Sequence, residues 1–216
     1  GEFSQLYATD TNDVLLGYTG TGMFLHSPSE HTMQGTTYDA ELQIFHTLSD
    51  SFTGESPDGR TIAVVSILFK VDDSGPENAF FTALGLHNQS NTNTTTNQTN
   101  TTNTTNQTSS SNGTTEVNST IVIAANLSLT LGVVLAPQIV APLVYYAYKG
   151  SLTVPPCSQS VNWYVLEQIF TIKSYQLAPL SARWKDNQTF ASGNGNNRAT
   201  QSLNERKVVI GGTTCD

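Results

Sequence analysis

The chain has 216 residues, long enough for one domain with a sizeable core. Its net charge of -8 argues against nucleic acid and against anionic membrane surfaces as partners. Charged residues are only 12% of the chain, where about 25% is usual, so something else must solvate the surface.

In chain order, Val14-Leu15-Leu16-Gly17-Tyr18 leads into Gly20-Thr21-Gly22, which reads as a turn-rich approach to a central strand. Phe24 and His26 then share a face, because side chains in a strand repeat every two residues. After Gly35 the run Glu41 to His46 alternates likewise. Glu41, Gln43 and Phe45 fall on one face, and Leu42, Ile44 and His46 on the other. The two runs are expected to be neighbouring antiparallel strands. Leu48 to Arg60 is a polar loop. Thr61 to Val71 is β-branched and almost continuously apolar, the pattern of a strand buried on both faces. Asn78 to His87 suits a short helix.

Asn88 to Thr120 is nearly all Asn, Thr, Ser and Gln and cannot bury enough apolar area to offset its own chain entropy. It carries most of the Asn-x-Ser/Thr sequons, at Asn88, Asn93, Asn97, Asn100, Asn103, Asn106, Asn112 and Asn118, with Asn126 and Asn187 beyond it. Glycans at these sites would supply the missing solvation, which predicts an extracellular, secreted glycoprotein. Ile121 to Leu135 alternates and is expected to return to the sheet. Leu131 to Val144 is cut by Pro137, Gln138 and Pro142 and is too short to span a membrane. No signal peptide opens the chain, so the sequence is expected to be a processed or partial product. The 2 cysteines are Cys157 and Cys215. A bond between them, a bond to another chain and a free thiol all stay open.

Several of these stretches together resemble the α-class carbonic anhydrase family. They are Phe24-Leu25-His26, Ser29-Glu30-His31, Glu41-Leu42-Gln43-Ile44-Phe45-His46, Gly150-Ser151-Leu152-Thr153-Val154-Pro155-Pro156, Val161-Asn162-Trp163, and Asn196-Asn197-Arg198-Ala199-Thr200-Gln201-Ser202-Leu203. The resemblance implies an α+β, mostly β fold. Its core is a large twisted, mainly antiparallel sheet with a few short peripheral helices, in a single domain over 1–216 interrupted by the insertion at 88–120. Gly1 to Leu6 would then be a strand within that sheet, the N-terminal part of the usual domain would be absent, and Ser174 to Trp184 would be a late helix. Ser174 is a fair N-cap there, and Pro179 weakens the helix. Secreted relatives bond the cysteine at the Cys157 position to one near the N-terminus, which this chain does not have.

Active members hold zinc at the positions occupied here by Phe24, His26 and Gln43. A catalytic zinc site needs three protein ligands and an open position for water. Phenylalanine cannot ligate, and glutamine is a neutral, weak donor. The expected cofactor is therefore none, with zinc only if the chain is an active hydro-lyase after all. His31 and His46 would point away from His26 in regular strands, so a rebuilt metal site is not expected. His26 is instead expected as a buried histidine bonded to Gln43 or Glu41. The resemblance gives Thr153 the role of orienting a zinc-bound hydroxide, Glu30 that of accepting the Thr153 proton, and Glu41 that of orienting a ligand. Here the three are expected to persist as a structural network, with Trp163 as pocket wall or core. The implied protein is a non-catalytic, structural glycoprotein that self-associates or has its sheet completed by another chain. An active carbonic anhydrase, or a lectin or adhesion module reusing the emptied pocket, are the alternatives.

Overall fold

The computed structural model describes residues 5–9, 15–49, 58–86, 143–184 and 195–212. The Asn/Thr tract, every sequon, the stretch from Ile121 to Leu135 and Cys215 lie outside them. Cys157 is partly buried, and the described residues hold no second cysteine.

The strands are β1 (Gln5–Thr9), β2 (Leu15–His26), β3 (Thr32–Met33), β4 (Thr36–Thr37), β5 (Ala40–Leu48), β6 (Ile62–Val71), β7 (Tyr145–Gly150), β8 (Val161–Ile172) and β9 (Val208–Gly211). The helices are α1 (Ala79–Ala83) and α2 (Ser174–Ser181). Seven strands form one sheet in the order β1-β2-β5-β6-β8-β7-β9. Every pairing is antiparallel except β6 with β8. The mainly antiparallel sheet with few helices is the fold expected from the sequence. Among the described residues no helix is long and apolar enough to cross a membrane.

β6 is the strand read from Thr61 to Val71, and it sits between β5 and β8. Val64, Ile67, Leu68 and Phe69 are fully buried, because a strand at this place has sheet on both sides and packing on both faces. β3 and β4 form a small hairpin around Gln34 and Gly35, whose φ values of 51° and 78° are the positive angles a tight two-residue turn requires.

Two local expectations are corrected. Gly20-Thr21-Gly22 is not a turn. β2 runs straight through it and absorbs the extra residue as a bulge, where Gly20 faces His46 and Gly22 faces Phe45. The described part of the first strand is Gln5–Thr9, and residues 1–4 of the stretch read as Gly1 to Leu6 lie outside the described residues. Ser174 is the first residue of α2, and Lys173 is its N-cap. The open backbone N–H groups there are met by other side chains. Gln176 Oε1 accepts from Lys173 N at 3.2 Å, and Asp73 Oδ1 from Ser174 N at 2.9 Å. Pro179 is tolerated inside the helix, where Leu177 and Leu180 on either side of it are buried.

The sheet divides the core by its two-residue period. Leu42 and Ile44 of β5, Ile67 and Phe69 of β6 and Phe170 and Ile172 of β8 pack under Phe80 and Phe81 of α1 and Leu177 and Leu180 of α2. The opposite face carries Glu41, Gln43 and Phe45, as the alternation predicted, with Val64, Val161 and Trp163 beside them. Gln176 ties the two helices together. Its Oε1 accepts from Asn78 N at 3.0 Å, and its Nε2 donates to Asn78 O at 3.0 Å and Thr82 Oγ1 at 3.1 Å. The residue is fully buried. Gln176→Ala strands these groups and should lower the unfolding free energy by roughly 2–4 kcal/mol in urea titrations. A loss below about 0.5 kcal/mol would show that water replaces the amide freely.

Candidate functional site

In the antiparallel pair of β2 and β5, Phe24 lies opposite Gln43 and His26 opposite Glu41. Opposed residues share a face. All four side chains therefore rise from the sheet face that α1 and α2 leave uncovered. Glu30 is delivered to the same face by the loop after β2.

Glu41 is the anchor. It is fully buried, and its Oε2 accepts from the backbone N–H groups of Glu30 and His31, each at 2.8 Å. Its Oε1 accepts from Ser66 Oγ at 2.8 Å, Gln43 Nε2 at 2.9 Å and His31 Nδ1 at 2.7 Å. Burial alone would raise this carboxyl. The His31 ring, the hydrogen bonds from His31 and the bond from Gln43 outweigh it and hold the group down at about 2. His31 is held from its other side by the Tyr148 hydroxyl, 2.6 Å from Nε2. Burial pushes the Tyr148 phenol up, so it remains an O–H group.

Gln43 joins the two carboxylates. Its Nε2 donates to Glu30 Oε2 at 2.8 Å as well as to Glu41 Oε1. A primary amide carries two N–H bonds on one nitrogen, where an imidazole nitrogen carries one. Gln43 Oε1 is buried and has no partner among the described residues. Glu30 Oε1 accepts from Arg198 N at 2.7 Å. His26 Nδ1 lies 3.1 Å from Asn196 O, and since a carbonyl only accepts, Nδ1 carries the proton. Asn196 is itself fixed by Ser27 N and Leu25 O, each at 2.8 Å.

Three sequence expectations change here. His26 is bonded to Asn196 rather than to Gln43 or Glu41, with Glu30 Oε1 at 3.5 Å. His31 does not point away, because it is not in a regular strand and turns in to meet Glu41. His46 does stay on the other face, against Ile44 O. The Glu30–Thr153 hydrogen bond implied by the family resemblance is missing among the described residues, where Glu30 accepts instead from Gln43 Nε2 and Arg198 N. Phe24 is 57% exposed, with its ring edge-on to Phe45 at 5.1 Å. Trp163 proves to be both core and wall. It is buried, donates to Ser151 O at 3.1 Å, and lines a cavity with Glu30 and Thr153.

The family implies zinc at Phe24, His26 and Gln43. These side chains offer one imidazole, one neutral amide oxygen and no third donor, a set that does not fit Zn2+. No other group of three His, Cys, Asp or Glu suited to a metal occurs among the described residues.

The chain matches the family described as eukaryotic-type carbonic anhydrase over residues 17–211. It belongs to that family. Alpha carbonic anhydrase 4 of Arabidopsis thaliana is 33% identical over 156 residues, 72% of this chain and 42% of its own length. Dioscorin dioA3 of Dioscorea japonica is 29% identical over 85% of this chain and 51% of its own. The chain thus spans about half the length of these relatives. Among solved structures, carbonic anhydrase Cah3 from Chlamydomonas reinhardtii, in complex with acetazolamide, superposes with a TM-score of 0.57 at 23% identity, covering 97% of this chain and 79% of its own. Dioscorin complexed with ascorbate gives a TM-score of 0.52 at 26% identity, covering 90% and 62%.

Within this carbonic anhydrase fold, Asn196, Arg198 and Ser66 were not predicted as site residues. Their neighbours in the site are remote in sequence, and only the Asn-x-Arg run at 196–198 marked the place. Because the folded Glu41 carboxyl sits at about 2 against an ordinary 4.5, its contribution to stability is complete above about 4.5 and is lost as pH falls toward 2. The urea midpoint should drop across that window. In Glu41→Gln the drop should be smaller, and stability at neutral pH lower by roughly 3–5 kcal/mol. An unchanged pH profile in the variant would refute this assignment.

Proposed function

We propose that this chain is a non-catalytic, extracellular member of the carbonic anhydrase family with a structural role as a fibre, coat or matrix subunit. The observation that carries the reading is the Gln43 carboxamide, whose nitrogen is committed to Glu30 and Glu41 at 2.8 and 2.9 Å, opposite a phenyl ring where a second imidazole would be needed. A hydration enzyme of this family needs a metal-bound hydroxide at neutral pH, and one imidazole cannot hold that metal. The tandem sequons support secretion and N-linked glycans. Self-association is supported by the terminal strands of the sheet, β1 and β9, where Tyr7 is 64% and Ile210 58% exposed.

A second reading, a ligand-binding module with no turnover, is favoured by the dioscorin structure, in which a relative of this fold holds ascorbate.

The test is metal content together with activity. The purified glycoprotein should keep far less than one zinc per chain after dialysis and hydrate CO2 no faster than buffer. Phe24→His with Gln43→His should bind about one zinc per chain, because Asn196 O and Glu41 Oε1 already stand where they can orient imidazoles. Stoichiometric zinc and sulfonamide-sensitive hydration in the unmutated protein would overturn the reading.

A further inference from the structure

A cavity of about 420 Å³ opens beside Glu30. Phe24, His26 and Gln43 do not line it. Its walls are Tyr148, Trp163, Val165, Met33, Leu203 and Val208. Tyr148 and Trp163 lie nearly parallel, at 10° with centroids 6.3 Å apart. The size is that of an ordinary small-molecule site.

The polar groups are what single it out. The whole chain has 17 acidic side chains against 9 Lys and Arg. Yet two arginines, Arg198 and Arg206, face this one cavity. Neither has an ion pair with a carboxylate side chain among the described residues. Arg198 spends Nη1 on Ser151 Oγ at 3.4 Å and Leu152 O at 3.3 Å. Arg206 spends Nε on Leu203 O at 2.7 Å and Nη2 on Ser202 O at 2.5 Å, and its guanidinium stands 5.4 Å over the Tyr148 ring. These bonds hold both planes, and Nε and Nη2 of Arg198 and Nη1 of Arg206 have no hydrogen-bond partner among the described residues. Glu30, the one acid among the described lining residues, accepts from Gln43 Nε2 and Arg198 N. The hydroxyls of Ser151, Thr153 and Thr200 complete the polar side.

We propose that this cavity binds a small, flat organic carboxylate. Its ring lies against the apolar walls at Met33, Leu203 and Val208, and its carboxylate meets the open arginine donors. The site needs no metal and does not rest on the structural role proposed above.

The test uses 2-naphthoate as probe, read by calorimetry and by quenching of Trp163 fluorescence, with the neutral 2-naphthamide beside it. The native protein should bind naphthoate with a Kd below about 1 mM and the amide at least about tenfold more weakly. Arg198→Gln and Arg206→Gln should each weaken naphthoate by about tenfold or more and leave the amide unchanged. If Arg198→Gln fails to fold, Arg206→Gln carries the comparison. Val208→Trp changes an edge position that is 41% exposed, so it should fold normally while filling the cavity mouth and abolishing binding. Equal affinity for acid and amide, indifference to both arginines, absence of saturable binding, or binding lost on adding EDTA would each overturn the proposal.

Discussion

The Gln43 side chain holds this site together. Two carboxylates, Glu30 and Glu41, are buried within hydrogen-bond reach of one residue, and like charges so placed repel strongly in a low-dielectric interior. One amide nitrogen donates to both. Where the family places an imidazole and a cation, this chain has a neutral bridge. The fully buried Glu41 needs every one of its donors, from the Glu30 and His31 backbone to Ser66 on β6.

That bridge gives an acid-rich arrangement a neutral donor shared by both carboxylates. Glu41 binds the 30–31 loop to the sheet, and through His31 it reaches Tyr148 on β7. Glu30 binds the 196–198 segment by its bond from Arg198 N. The network joins β5, β6, β7 and two loops. Removing one member would leave others buried and unpaired, at a cost far above that of an exposed ion pair. Thr153 shows the opposite case. It has no hydrogen bond to Glu30 among the described residues and lines the neighbouring cavity.

Much of this was legible in the sequence. The alternation from Glu41 to His46 placed Gln43 and Glu41 on the face opposite Leu42 and Ile44, and the unbroken apolar run after Thr61 marked a central strand. The substitutions at Phe24 and Gln43 were visible as soon as the family pattern was recognised. Less legible were contacts that depend on loop paths. His31 turns in because its backbone N–H is caught by Glu41, not because of strand period. Asn196 meets His26 from a position 170 residues away. The Gly20–Gly22 bulge looked like a turn, since glycines mark both, and only pairing with β5 on the far side decides between them. Ser174 looked like a cap because the side chains that serve the start of α2, Asp73 and Gln176, lie one turn ahead or on another element.

The proposal that an amide bridge stands in place of the metal at the centre of this site is tested most directly by the unfolding midpoint of the native protein in excess EDTA and in excess zinc. A metal that binds only the folded chain at one hundred times its Kd would add about 2.7 kcal/mol. The account predicts the same midpoint in both solutions. A clear fall in EDTA, restored by zinc, would contradict it.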